Sequence, residues 1–321
     1  MKNEKKPFYR NRALLFAIKI CIAAGLIAWL IAGRKIDFGL LFSVRNHLLE
    51  YSIGFGFLCA GWLVQVYRWK KIVSSSGIGL SFREACRMTL ASHFSSQFLP
   101  GIVGGEIVRG YFIADRNPMQ RLLAVSTIIL DRGLGLYAAL LLGIVSSFML
   151  YISGEEIVSR EVVAIGILLC ILLGGIHVAW QIGYSRRTFG FLNRVMSSSW
   201  LKKYTDAAMA HKFSSKEIRL GIGLSVISSL FSILSFAVIG RAISPEAGWL
   251  VFFIVCPLVF ISLSLPVTPG GIGVGEAAAA FLFAAFGISN GATIMVMYRL
   301  MNMCLKLPGV YFLVSYRKKR E

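Results

Sequence analysis

Apolar runs of about 20 residues recur through this 321-residue chain, and nothing else in it constrains the fold as tightly. They cover residues 14–32, 48–67, 122–151, 162–180, 220–240 and 291–316. A bilayer core offers no water to backbone N–H and C=O groups, so a run of that length crosses as a helix that satisfies its own polar groups. The runs are continuous rather than striped at i, i+3 and i+4, which separates them from the amphipathic helices of a water-soluble bundle. A hydrophobic fraction of 56% and a mean hydropathy of +0.71 agree. The expected class is an all-α polytopic membrane protein, with residues 1–321 forming a single integral membrane domain.

The net charge of +19 would point to nucleic acid in a soluble protein. Here it follows from the excess of Lys and Arg that membrane proteins keep in cytoplasmic loops, and no nucleic-acid partner is expected. The leader carries Lys2, Lys5, Lys6, Arg10 and Arg12 against Glu4. Its following run, residues 14–32, is longer than a signal-peptide core and reads as an uncleaved first span. The 6 cysteines lie in or beside apolar runs without CxxC spacing, as buried free thiols do. His93 and His177 read as packed histidines, and Met295, Met297, Met301 and Met303 as bundle packing. No metal and no cofactor are therefore expected.

Two further apolar segments are interrupted. Residues 88–113 contain Pro100, Gly101, Gly104 and Gly105 followed by Glu106 and Arg109. Residues 249–287 contain Pro266, Pro269, Gly270, Gly271, Gly273 and Gly275 followed by Glu276. Proline ends an incoming helix and glycine permits the turn, so each segment reads as two half-helices. The flanks of the first are basic on both sides, with Arg83, Arg87, Arg116 and Arg121, so it should enter and leave on the cytoplasmic face. The second should do the same on the external face, because the tail at Arg317, Lys318, Lys319 and Arg320 fixes the last span.

The expected architecture is six full spans plus two oppositely oriented re-entrant broken helices, eight hydrophobic segments in all. Loops assigned to the cytoplasm hold 24 of the 34 Lys and Arg, and external ones hold 5. Each half then reads span, span, re-entrant segment, span, which makes residues 13–151 and 162–316 an inverted-topology repeat of the transporter kind. Residues 181–219 between them form a basic loop with interspersed Phe and Trp, suited to the cytoplasmic membrane surface. Both termini are expected in the cytoplasm of a bacterial or archaeal cell.

Ionisable residues at membrane depth are costly and mark candidate sites. Glu106, Arg109, Asp131, Arg132, Glu276 and Arg299 form that set, and Glu106 precedes Arg132 by 26 residues as Glu276 precedes Arg299 by 23. The half-helices that start near Glu106 and Glu276 present unpaired N–H groups to the protein centre, and such ends favour phosphate or carboxylate. The competing reading is structural: the glutamates cap their own helices, and the arginines lock the bundle in buried ion pairs.

The Pro100-Gly-x-x-Gly-Gly-Glu106 segment, the Leu130-Asp-Arg132 step and Pro266-x-x-Pro-Gly-Gly-x-Gly-x-Gly-Glu276 resemble the flippase-like transmembrane region of lysylphosphatidylglycerol synthases and their stand-alone relatives. The resemblance implies a protein that moves a polar lipid between leaflets, with a membrane lipid as substrate and a separate lipid-modifying transferase as possible partner. An aminoacyl-transferase domain is not part of the sequence, so the chain is expected not to be an enzyme even though the family name carries a lysyltransferase activity. The alternative is a secondary transporter of a small polar solute on the same repeat. A membrane-embedded transferase or hydrolase finds no HExxH or GxSxG, and no Walker loop offers ATP drive.

Overall fold

A computed structural model describes residues 7–33, 35–36, 39, 47–97, 104–152, 168, 171, 214–264 and 267–318. Among these the secondary structure is helical, with no strand. The helices are α1 (Pro7–Ala32), α2 (Leu48–Ser75), α3 (Phe82–Ser95), α4 (Gly104–Arg116), α5 (Arg121–Ile152), α6 (Ser215–Ile243), α7 (Trp249–Ser264), α8 (Val274–Ala284), α9 (Gly291–Lys306) and α10 (Gly309–Lys318). One-turn 3-10 helices at Pro118–Gln120 and Pro269–Gly271 precede α5 and α8.

Among the described residues three stretches are long and apolar enough to cross a membrane: Leu48–Ser75, Pro118–Ser146 and Lys216–Ile243. Shorter apolar helices lie at Ile20–Ala32, Trp249–Leu263 and Val274–Ala284. The 16 residues of α7 and 11 of α8 rise only about 24 and 16 Å, short of a hydrocarbon core about 30 Å thick. The 14 residues of α3 and 13 of α4 rise about 21 and 20 Å. Both interrupted segments are thus pairs of half-length helices. Apart from Leu168 and Ile171, the run at 162–180 lies outside the described residues, as do the loop at 181–213 and Pro100, Gly101 and Pro266.

Three boundaries differ from the sequence reading. Helix α2 continues to Ser75 and takes Arg68, Lys70 and Lys71 into its last turns. Helix α6 begins at Ser215, because Ser214 and Glu217 form a capping box in which Glu217 N–H donates to Ser214 Oγ and Ser214 N–H to Glu217 Oε2. Lys216 and Arg219 therefore belong to that helix rather than to the basic loop. The last run is two helices, parted at Leu307 and Pro308, because proline has no N–H to continue the ladder and crowds the residue before it.

Helix α2 packs along α6 in the most extensive helix interface, and Ser228 Oγ donates to the Gly61 carbonyl across it at 2.9 Å. The remaining interfaces come largely in matching sets. Helix α3 meets α4 as α7 meets α8; α4 meets α5 as α8 meets α9; α2 meets α5 as α6 meets α9. Across the halves, α5 packs on α7 as α10 packs on α3. Each set has its own core. Val66, Trp69, Ala85, Met88, Phe112, Ile113, Ala124 and Ile128 join α2 to α5, while Phe236, Phe252, Phe283 and Tyr298 join α6 to α9, with Phe236 and Phe283 stacked at 6.0 Å. Helix α1 lies outside this bundle, against α8 and the 3-10 turn before it.

Candidate functional site

The second broken segment turns through left-handed backbone. Gly270, Gly271 and Gly273 have φ of 60°, 68° and 83°, values at which any Cβ costs about 1–2 kcal/mol per residue. Thr268 Oγ1 donates to the Ile272 carbonyl at 2.8 Å and closes the loop. Helix α8 then starts, and Glu276 in its first turn accepts the Gly273 N–H at 2.8 Å, which satisfies one of the helix's open donors. The same carboxylate is paired with Arg299 of α9 at 2.5 Å. Arg299 also donates to the Gly270 and Gly271 carbonyls at 2.9 and 3.0 Å. Four of its hydrogen bonds therefore go to its own carboxylate and turn, nearly the whole capacity of a guanidinium with five N–H donors.

The first broken segment starts from a second capping box, Ser81 with Glu84 at the head of α3. Helix α4 returns against α3 at close range. Ser92 Oγ donates to the Gly105 carbonyl at 2.6 Å, and a Cβ at Gly105 would lie 2.4 Å from the Ser92 carbonyl oxygen. Glu106 in the first turn of α4 pairs with Arg132 of α5 at 2.9 Å. The 26- and 23-residue spacings are thus equivalent contacts, each joining the start of a returning half-helix to the next long helix.

Arg109 and Asp131 belong to a different arrangement. Asp131 accepts from Arg68 Nε at 2.8 Å and from Arg109 Nη2 at 3.1 Å, and all three are buried. Arg68 also donates to Ser225 Oγ at 2.5 Å, and the Arg109 guanidinium lies 4.6 Å over the Trp69 ring. This triad ties α2, α4, α5 and α6 together. Sequence reasoning missed Arg68, which charge counting placed in a loop. Its signal was the neighbouring set Trp69, Ile72 and Val73, buried residues on one face of α2.

A cavity of about 260 Å³ opens beside the second break, lined mostly by residues of the second half and touched by Gln97 of the first. Its lining includes Gln97 beside the first break and Gly270 in the second, with Ser232 of α6 and Tyr298, Arg299, Asn302 and Lys306 of α9. Phe260, Leu263, Met295 and Met303 supply its apolar wall. Of the six ionisable candidates only Arg299 lines it; Glu276 sits directly behind Arg299, and the Glu106–Arg132 and Asp131 groups lie beyond its lining. His93 of α3 is within electrostatic range of Lys306 and also of Arg109, Asp131 and Arg132. Gln97, Ser232, Tyr298, Asn302 and Lys306 had no motif to mark them.

A model of the lysylphosphatidylglycerol synthase transmembrane region matches residues 16–307 of the chain. A UPF0104 membrane protein of Methanocaldococcus jannaschii is 22% identical over 256 residues, 74% of this chain and 76% of that protein. No solved structure matches.

Proposed function

The chain belongs to the lysylphosphatidylglycerol synthase transmembrane-region family, and we propose that it moves a polar lipid between the leaflets of a cytoplasmic membrane. The observation that carries this reading is the polar cavity between Gln97 and Gly270, placed where the two broken segments approach each other inside an apolar bundle. Only the headgroup of a lipid needs a protein path, since its acyl chains stay in the bilayer. A cavity of about 260 Å³ with a few polar groups suits that division of labour.

The matched helix interfaces of the two halves, and the equivalent Glu106–Arg132 and Glu276–Arg299 contacts, support an inverted-topology repeat with its pseudo-symmetry axis through the α2–α6 contact. In this reading the glycine turns and the Glu276–Arg299 pair shape the cavity, Glu106 and Arg132 flank its approach, and the Asp131 triad fixes the helices around it. A separate lipid-modifying enzyme supplies the lipid.

Vesicles with purified protein and acyl-labelled phosphatidylglycerol test the reading. Dithionite should reach the inner-leaflet label faster than in protein-free vesicles. Equal rates contradict lipid movement, and uptake of a soluble organic solute under an ion gradient, without lipid movement, identifies the alternative secondary transporter. For orientation, single thiols at Asn117→Cys and Ser289→Cys in a cysteine-free background should label from the cytoplasmic and external faces respectively. Labelling from one face at both positions breaks the inverted repeat.

A further inference from the structure

The charge of the cavity can be assigned residue by residue. Among the described residues two of its lining side chains are cationic, Arg299 and Lys306. The charge of Arg299 is matched by Glu276 at 2.5 Å, and its donors hold the Gly270 and Gly271 carbonyls. Lys306, about two turns further along α9, has no carboxylate within ion-pair distance among the described residues. On α9, Arg299 repels it. From α3, His93 faces it. Among the described residues the cavity therefore carries one positive charge without a carboxylate partner, beside uncharged polar groups on Gln97, Tyr298, Asn302 and Ser232.

From this geometry we infer that the cavity selects a phosphate-bearing, negatively charged headgroup, with Lys306 as the residue that recognises the charge, and that it discriminates against a headgroup carrying an added ammonium. The inference rests on the lipid-moving reading and sharpens it to a substrate class. A partly buried ammonium without a counter-ion gains a charge-assisted hydrogen bond when a phosphate oxygen arrives, and loses nothing already in place. An aminoacylated headgroup would set a second ammonium beside Lys306 with no carboxylate free to receive it, since Glu276 is taken by Arg299 and by the Gly273 N–H. Tyr298, Asn302 and Gln97 can bond the glycerol or sugar hydroxyls of such a lipid but do not change its sign preference.

The test uses the full chain in vesicles with acyl-labelled phosphatidylglycerol, lysyl-phosphatidylglycerol or phosphatidylcholine, compared with Lys306→Met and Lys306→Arg. Native protein should move phosphatidylglycerol about tenfold faster than the lysyl lipid, Lys306→Met should abolish that ratio, and Lys306→Arg should keep most of it. An unchanged ratio in Lys306→Met, in protein that melts like the native form, overturns the inference while lipid movement stands.

A binding arm separates the two readings. Phosphatidylglycerol binding in detergent, read by native mass spectrometry, should fall about tenfold in Lys306→Met even if no variant moves lipid; in that case the anion site stands and the lipid-moving reading fails. Glycerol phosphate and inorganic phosphate serve as soluble competitors. Lys306-dependent binding of either as tight as the lipid's supports the anion site and overturns a lipid as its occupant. Binding of all three lipids alike overturns the charge selection.

Discussion

In the second broken segment Glu276 and Arg299 are 1% and 15% exposed, and the arginine holds the turn by bonds to two carbonyls. In the first, Glu106 and Arg132 are 20% and 46% exposed and share one hydrogen bond. The same residue pair at the same place in the two halves is thus a buried clamp in one and an open contact in the other. The first half is tied by the Asp131 triad instead, which among the described residues has no counterpart of matching composition beside Glu276. The second turn is thus held by a buried arginine, while the contact at the start of α4 is open to solvent.

The largest loss of stability is expected at Asp131. Asp131→Ala leaves Arg68 and Arg109 buried and unpaired, which should cost about 3–5 kcal/mol and lower the thermal midpoint in detergent more than any change at the Glu106 pair. Next comes Arg299→Ala, which strips both turn carbonyls of their donor, leaves Glu276 with the Gly273 N–H alone and without its counter-charge, and should cost about 3 kcal/mol. Gly273→Ala, at φ 83° with Leu26 Cβ 2.8 Å from the added methyl, should cost about 1–2 kcal/mol from the backbone alone. Glu106→Gln is expected to change stability by less than about 1 kcal/mol yet slow lipid movement. If it melts as early as Glu276→Gln, the contrast between clamp and open contact is broken.

The smallest effect lies at the edge of the first segment, outside the membrane. Arg116 beside Glu84 holds that carboxyl down to about 2, well below its ordinary 4.5. A depressed carboxyl stabilises the fold fully above 4.5 and loses that contribution as pH falls toward about 2. The pair is largely exposed, so the amount is below about 1 kcal/mol. Acid titration of the melting midpoint should show a shallow loss across that window, absent in Glu84→Gln.

Much of the helical plan was legible because hydrocarbon dictates it. Run length set α2, α5 and α6, and proline with clustered glycine set the two breaks. The Glu106–Arg132 and Glu276–Arg299 contacts were legible as a repeated spacing, since a short returning helix and its successor must pack side by side. The triad was not: Arg68 reaches Asp131 across 63 residues and Ser225 across 157, and the rule that basic residues collect in loops pointed the other way. Lys306 escaped for a related reason. Lys306 lies inside the run at 291–316 with no motif to mark it, and only the fold sets it beside Gln97 and Gly270.

The central claim, that a lipid headgroup passes through the cavity between the two breaks, is tested most directly by filling it. Ser232→Leu from α6 and Asn302→Leu from α9 place apolar bulk in the cavity without touching the Asp131 triad or the Arg299 clamp. Both variants, reconstituted at native levels and melting within about 2 °C of the native protein, are predicted to slow dithionite access to inner-leaflet phosphatidylglycerol at least about tenfold. Native rates in both would contradict a path through that cavity.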